Sequence, residues 1–315
     1  MQQLFNSIVS KGVKDNTYKF ALVKFLLDYS NSEPINEVQT IPYTMIAEKF
    51  LEYYWFQECK YKLKQDFKVK RMPMIIRIIR HYCGEEYISD SYEKYFKNNK
   101  IMKETMIKEI EKECLRDVIP RLQPRNNFSF YKHFHTLNSS GKKYKSPPID
   151  KRFVELTKES REFFKTHYNE LSKLLIFEWA KFLERTNFTP MLISKIEGLG
   201  LEKRKSLMKY KKILLEQMDA KCFYCDNNIV DDNIHIDHFI PWSYIYEDSI
   251  WNLVISCSKC NLEKSDYLPT EKCIEKIENR NNIHKFNVYN KDIKDYYINC
   301  KKAGFLVLND ISCTS

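Results

Sequence analysis

The sequence predicts a mainly α protein: a long helical N-terminal region followed by a small, metal-stapled module. Three observations carry this. Glycine is scarce, 6 residues in 315, against a usual share of ~7%, which disfavours a β protein full of tight turns. Apolar side chains recur at steps of three and four through much of the first part of the chain, the period of a helix with one buried face. That period stops after Cys222, where two Cys-x-x-Cys pairs bracket a stretch rich in His, Asp and Asn.

Taken in order, Ala21, Leu22, Phe25, Leu26 and Tyr29 form the first helical stripe. A second runs through IPYTMIAEKFLEYYWFQ, with Ile46, Phe50 and Tyr53 on one face. The longest spans 158–186, where Phe164, Tyr168, Leu171, Leu175, Trp179 and Phe182 recur, and Thr189-Pro190 ends it. A helix over 203–218 turns Leu207, Tyr210, Leu214 and Met218 inward and Lys203, Lys211 and Lys212 outward. These aromatic stripes read as core, since helical spacing alone predicts burial. Residues 136–148, TLNSSGKKYKSPP, read as a loop. Near the end, KCIEKIEN reads as a helix and GFLVLND as a strand. The expected domains are 1–200, helical, and 201–315, with a core at 219–268.

Composition removes several classes. Hydrophobic residues are 43% and charged residues 30% of the chain, the balance of a globular protein and not of a disordered one. No apolar run approaches the ~18 residues of a membrane span, and MQQLFNSIVSKGVKDN lacks the marks of a signal peptide. A cytoplasmic protein with reduced thiols is expected. The net charge of +10 favours an anionic partner. It is unevenly placed. Residues 60–80 hold eight cations (Lys60, Lys62, Lys64, Lys68, Lys70, Arg71, Arg77, Arg80) against Asp66. Residues 221–268 hold three cations (Lys221, Lys259, Lys264) against eight acids (Asp226, Asp231, Asp232, Asp237, Glu247, Asp248, Glu263, Asp266). A local acidic excess on a basic chain suggests a cation site held against a polyanion. The basic stretch is equally readable as a solvated helix face.

Six of the 10 cysteines (Cys59, Cys83, Cys114, Cys273, Cys300, Cys313) are scattered and read as small core or surface residues. Cys222, Cys225, Cys257 and Cys260 are patterned. Two CxxC knuckles complete a tetrahedral Cys₄ zinc site, closed and therefore structural. A redox pair would not need a twin 32 positions on.

Between and after the cysteines stand His235-Ile-Asp237-His238-Phe-Ile-Pro241, then Trp251-Asn252-Leu253, then Cys260-Asn261-Leu-Glu-Lys264. The alternation of HIDHFI suggests a short strand that turns His235 and Asp237 one way and His238 the other. Asn261 and Lys264 share one face of a helix starting near Ser258. A zinc would clamp that helix to the knuckle preceding the strand.

This arrangement, over about 50 positions, resembles the HNH endonuclease family, the ββα-metal nucleases, with Asn in the third place of the motif. The resemblance implies a nuclease that cuts DNA to 5′-phosphate and 3′-hydroxyl ends. It implies His238 as general base, and Asp237 and Asn261 as ligands of a catalytic Mg²⁺ or Mn²⁺, hard oxygen donors suited to such an ion. Asn252 would pin the connecting loop and orient the histidine. Lys264 would contact a phosphate flanking the cut. His235 reads better as a packed strand residue than as a ligand. Trp242 and Trp251 read as core, and His81, His133, His135, His167 and His284 have no ligand spacing.

Free-standing proteins of this kind resemble restriction, phage-defence or mobile-element nucleases. Duplex DNA is the expected partner, with the helical region positioning it or docking a protein activator, and a homodimer would allow double-strand cutting. Two alternatives stand beside this: an RNA-directed HNH nuclease, and a non-catalytic zinc-dependent nucleic-acid-binding module.

Overall fold

The computed structural model describes residues 1–12, 14–35, 38–65, 72–85, 88, 90–123, 129–198, 206–230, 233–289 and 291–308. Among the described residues it is mainly helical, with three small sheets. Two compact units emerge: Met1–Asn187 with Ile193–Leu201, and Phe188–Leu192 with Glu202–Ser315. Lys68, Lys70, Arg71 and Asp66 of the basic stretch, Asp231 and Asp232 of the acidic one, Lys203 and Cys313 lie outside the described residues.

The first unit packs helices around an aromatic core. The Tyr18–Ser32 helix buries Ala21, Leu22, Phe25 and Leu26. Phe20 on that helix stacks on Trp179 at 5.8 Å between ring centroids. The next helix is Tyr43–Trp55, and its buried face runs Ile46, Phe50, Tyr54. Tyr53, expected on that face, lies one position off it and donates its hydroxyl to Asp28 at 2.6 Å.

Three readings of this region need correction. The long helix over 158–186 is two helices, Lys158–Thr166 and Tyr168–Leu183, interrupted at His167. Thr157 caps the first by accepting from the Ser160 amide at 3.2 Å, as helix N-termini require. Residues 136–148 are not plain loop. Thr136–Leu137 and Tyr144–Lys145 pair as a hairpin, and Asn138 Oδ1 accepts from the Lys142 and Lys143 amides at 3.0 Å each. The IPYT segment enters its helix from a strand, Val38–Pro42, because Pro42 is extended (φ −68°, ψ 148°). That strand pairs antiparallel with Phe153–Thr157, which pairs in turn with Tyr131–Lys132.

The second unit holds a ββα core. Ile234–His238 and Leu253–Cys257 pair antiparallel, with His235 opposite Ser256 and Asp237 opposite Val254. The helix Ser258–Lys264 follows at once. Trp251, Phe239, Ile240, Leu253 and Tyr224 are buried between them. Before the pair, the Met208–Gln217 helix buries Leu214 and leaves Leu207, Tyr210 and Met218 partly covered. Lys211 was expected outward, but its ammonium reaches the Ile234 carbonyl at 3.0 Å. After it, helices Lys272–Ile283 and Ile293–Lys302 cover the core. Residues 304–308 form no strand of their own. They add one bridge, Val307 to Leu268. No helix among the described residues is long and apolar enough to cross a membrane.

Candidate active site

The site grows from the cysteine knuckle. Cys222 opens a tight turn in which its carbonyl accepts from the Asp226 amide and its amide donates to Asn227, both at 2.9 Å. Asp226 closes the turn at φ +55°, a conformation Asp tolerates better than most residues. The Phe223 amide donates to the Ile255 carbonyl at 2.8 Å, fixing the knuckle to the second strand. Cys257 ends that strand and starts the helix, its sulfur accepting from the Cys260 amide at 3.5 Å.

The four sulfurs of Cys222, Cys225, Cys257 and Cys260 lie within 4.8 Å of one another, and Cys225 Sγ is 4.0 Å from Cys257 Sγ. A tetrahedral zinc with ~2.3 Å bonds holds its sulfurs about 3.8 Å apart. The cluster therefore fits that ion, and these thiols would hold it. Its use is mechanical: strand, knuckle and helix meet at one point, which a module this small needs.

Strand alternation sends Asp237 and His238 to opposite faces. Asp237, 7% exposed, meets the knuckle and the helix. Its Oδ2 accepts from the Tyr224 hydroxyl at 2.6 Å and pairs with the Lys264 ammonium at 3.0 Å. Burial, and then the Asp237 charge, push the Tyr224 hydroxyl well above its ordinary range, so it stays a donor. His238 turns toward the loop before the second strand, where Nε2 lies 2.9 Å from Asp248 Oδ1. A carboxylate accepts, so Nε2 carries the proton and Nδ1 is the basic nitrogen.

Asn252 is fully buried and brackets Ile240. Its Oδ1 accepts from the Ile240 amide at 2.8 Å and its Nδ2 donates to the Ile240 carbonyl at 2.9 Å. The Phe239 amide also donates to the Asn252 carbonyl at 2.8 Å. The chain leaving His238 is thus tied at two successive residues. From outside the motif, Arg280 donates to the Leu253 carbonyl at 2.7 Å, and Asn281 to that of Trp251 at 2.9 Å. Burial lowers the Arg280 guanidinium to about 10.

Asn261 is half-buried, one helical turn before Lys264. It shares the face whose lysine reaches Asp237. Asp237 Oδ1 and the Asn261 amide oxygen are both hard donors, of the kind that suits a divalent ion keeping several waters. Among the described residues only the cysteines form a group of three or more metal-binding side chains, so any catalytic ion here would have few protein ligands.

Lys264 corrects its expected role. Its side chain is 0% exposed, and besides Asp237 its ammonium donates to the His238 carbonyl at 2.7 Å. An ammonium enclosed in this way neutralises a buried carboxylate and does not reach a flanking phosphate. His235 is exposed. Two residues the sequence reading did not assign to the site, Tyr224 and Asp248, touch Asp237 and His238 directly. Of the basic stretch, Arg80 is committed to Glu58 at 2.7 Å and Glu85 at 3.2 Å.

A four-cysteine knuckle on a ββα core that presents adjacent Asp and His has the layout of a nuclease domain. Residues 222–270 match the family model described as HNH endonuclease, and this part of the chain resembles that family. Residues 2–76 match a domain of unknown function (DUF8808). No curated protein and no solved structure matches the chain.

Proposed function

We propose that the protein is a metal-dependent endonuclease that hydrolyses DNA phosphodiester bonds to 5′-phosphate and 3′-hydroxyl ends. The observation that carries this reading is the pairing of Asp237 with His238 on a strand whose exit is clamped by Asn252. In this reading His238 takes a proton from the attacking water at Nδ1, while Asp248 holds Nε2 and fixes the ring. Neutral imidazole suits that task near neutral pH. Asp237 and Asn261 would hold a Mg²⁺ or Mn²⁺. When bound, that ion supplies stabilisation of charge on the leaving oxygen. Tyr224 and Lys264 hold the Asp237 carboxylate in place. Asn252 fixes the backbone that follows the base.

The test is a plasmid assay with wild type and His238→Ala, in Mg²⁺, in Mn²⁺ and with chelator. Metal-dependent nicking or linearisation by wild type, falling by ~10²–10⁴ in the variant, is expected. Cleavage of RNA but not of plasmid would transfer the chemistry to the other nucleic acid. Equal rates in both proteins would remove His238 from the mechanism.

A further inference from the structure

Among the described residues, the strands Ile234–His238 and Leu253–Cys257 form a two-stranded sheet. The outer edge of the second strand therefore has carbonyls that no third strand takes, and buried carbonyls need donors. The donors come from the helix Lys272–Ile283, beyond the stretch 222–270 that matches the nuclease family. Arg280 donates from Nη1 to the Leu253 carbonyl at 2.7 Å and from Nη2 to the Trp251 carbonyl at 3.2 Å. Asn281 Nδ2 adds a second bond to the Trp251 carbonyl at 2.9 Å.

These contacts bracket Asn252, which stands between the two carbonyls. The same three residues face the site on their other side. Leu253 is the register partner of His238. The Asn252 carbonyl accepts from the Phe239 amide, and the Asn252 side chain holds both backbone groups of Ile240. Residues 251–253 are thus held from behind by one helix, and they hold 238–240 in front.

Such an edge could be covered without a charge, by side-chain amides or hydroxyls. Here a guanidinium is buried, 9% exposed, with no carboxylate paired to it among the described residues. It lies 5.3 Å over the Phe286 ring. Burying a charge without a counter-ion costs stability. What the guanidinium supplies in return is a planar fork, two donors at a fixed spacing. A costly group at a position that governs local backbone geometry is expected where a site requires it and the fold does not.

We propose that Arg280 is a positioning residue of the nuclease that acts through Asn252. Its fork fixes the carbonyls on either side of that asparagine, and the asparagine fixes the chain that leaves His238. The proposal rests on the nuclease reading, and it extends the working unit past the matched stretch to the helix Lys272–Ile283.

The experiment uses the full chain carrying Arg280→Lys, which keeps a charge and lacks the fork. In plasmid nicking with Mg²⁺, kcat should fall ~10–100-fold, the range for losing an orienting partner, with KM unchanged. Asn252→Ala and the double variant complete a cycle. Because Arg280 acts through Asn252, the double variant should be within about twofold of Asn252→Ala alone. Amide hydrogen exchange adds a readout that needs no cleavage. The Phe239 and Ile240 amides should exchange ~10-fold faster in Arg280→Lys, while the Met208–Gln217 helix keeps its wild-type protection.

A wild-type kcat overturns the proposal, and so does a double variant slowed by the product of the two single losses. Protection lost throughout the unit does the same, by making the arginine a prop of the fold. A higher KM at unchanged kcat assigns Arg280 to the substrate and overturns it as well. Failure of the nuclease reading looks different. Wild type then leaves plasmid and RNA intact in every metal while exchange at Phe239 and Ile240 still responds to Arg280→Lys. That result removes the catalytic part of the proposal and keeps the clamp as structure.

Discussion

His238 Nε2 and Asp248 Oδ1 lie 2.9 Å apart, so the imidazole that follows the buried Asp237 in the chain is held by a carboxylate ten residues further along. The contact sets the tautomer and leaves Nδ1 to accept a proton. Asp248 is thus a positioning residue, and its loss should appear in turnover and not in binding. For Asp248→Ala, kcat is expected to fall ~10–100-fold, the usual cost of losing an orienting partner, with KM and melting temperature unchanged. Asp248→Asn retains an acceptor oxygen and should recover most of the rate. An alanine variant as fast as wild type would show that the ring is oriented without this carboxylate.

Lys264 is enclosed against Asp237, and this yields a prediction with two readouts. Removing one partner of a buried pair leaves an uncompensated charge and costs ~3–5 kcal/mol. Lys264→Met should therefore lower the melting temperature in the absence of divalent ions. Mg²⁺ should restore more of that loss than it adds to wild type, because a cation then binds the folded state at a site the ammonium no longer opposes. The salt dependence of DNA binding should be unchanged. A slope smaller by ~1 would mean that the lysine neutralises a phosphate after all.

What the sequence reveals here depends on how local the signal is. The Cys₄ cluster follows from two short spacings, the first strand from the alternation of HIDHFI and the helix after Cys257 from the placing of Asn261 and Lys264, whereas the second strand came only with the family resemblance. Asp248 was visible only as one of eight acids between 221 and 268. Nothing in its neighbours marks the one that reaches His238. Tyr224 sits between the first two cysteines and reads as filler until its hydroxyl is seen on Asp237. Lys264 reads as a surface lysine because burial of an ammonium depends on a partner 27 positions away. In the first unit the sheet escaped notice because its strands are two to five residues long, too short for a period to register. The break at His167 escaped because the apolar spacing continues across it.

The cysteine geometry fits a structural zinc, which would be a folding component of the second unit. Metal analysis of the purified chain should give one zinc. A strong chelator should melt the second unit while the aromatic core around Trp179 and Phe20, which has no part in the cluster, keeps its helical signal. Zinc-site binding energy is folding energy in modules of this size, so Cys257→Ser should behave like chelated wild type. A well-folded, zinc-free second unit would show that the thiols are not ligands.

The first unit carries its own pH dependence at His135. The ring stacks on Tyr43 at 5.6 Å, Nδ1 lies 3.1 Å from the Tyr43 hydroxyl, and Nε2 is buried without a hydrogen-bond partner among the described residues. Burial first, and the neighbouring His133 second, lower its pKa from 6.5 to about 4. The folded chain therefore keeps this ring neutral where the unfolded chain protonates it. As pH falls from 6.5 toward 4 the unfolded state gains a proton that the folded state refuses, and stability falls across that window and levels off below it. His135→Phe keeps a ring against Tyr43 and removes the titration. Melting temperatures of the two proteins, measured between pH 7 and pH 4, should diverge in slope, with wild type falling more steeply. Parallel curves would mean that the imidazole picks up its proton in the folded state as readily as in the unfolded one.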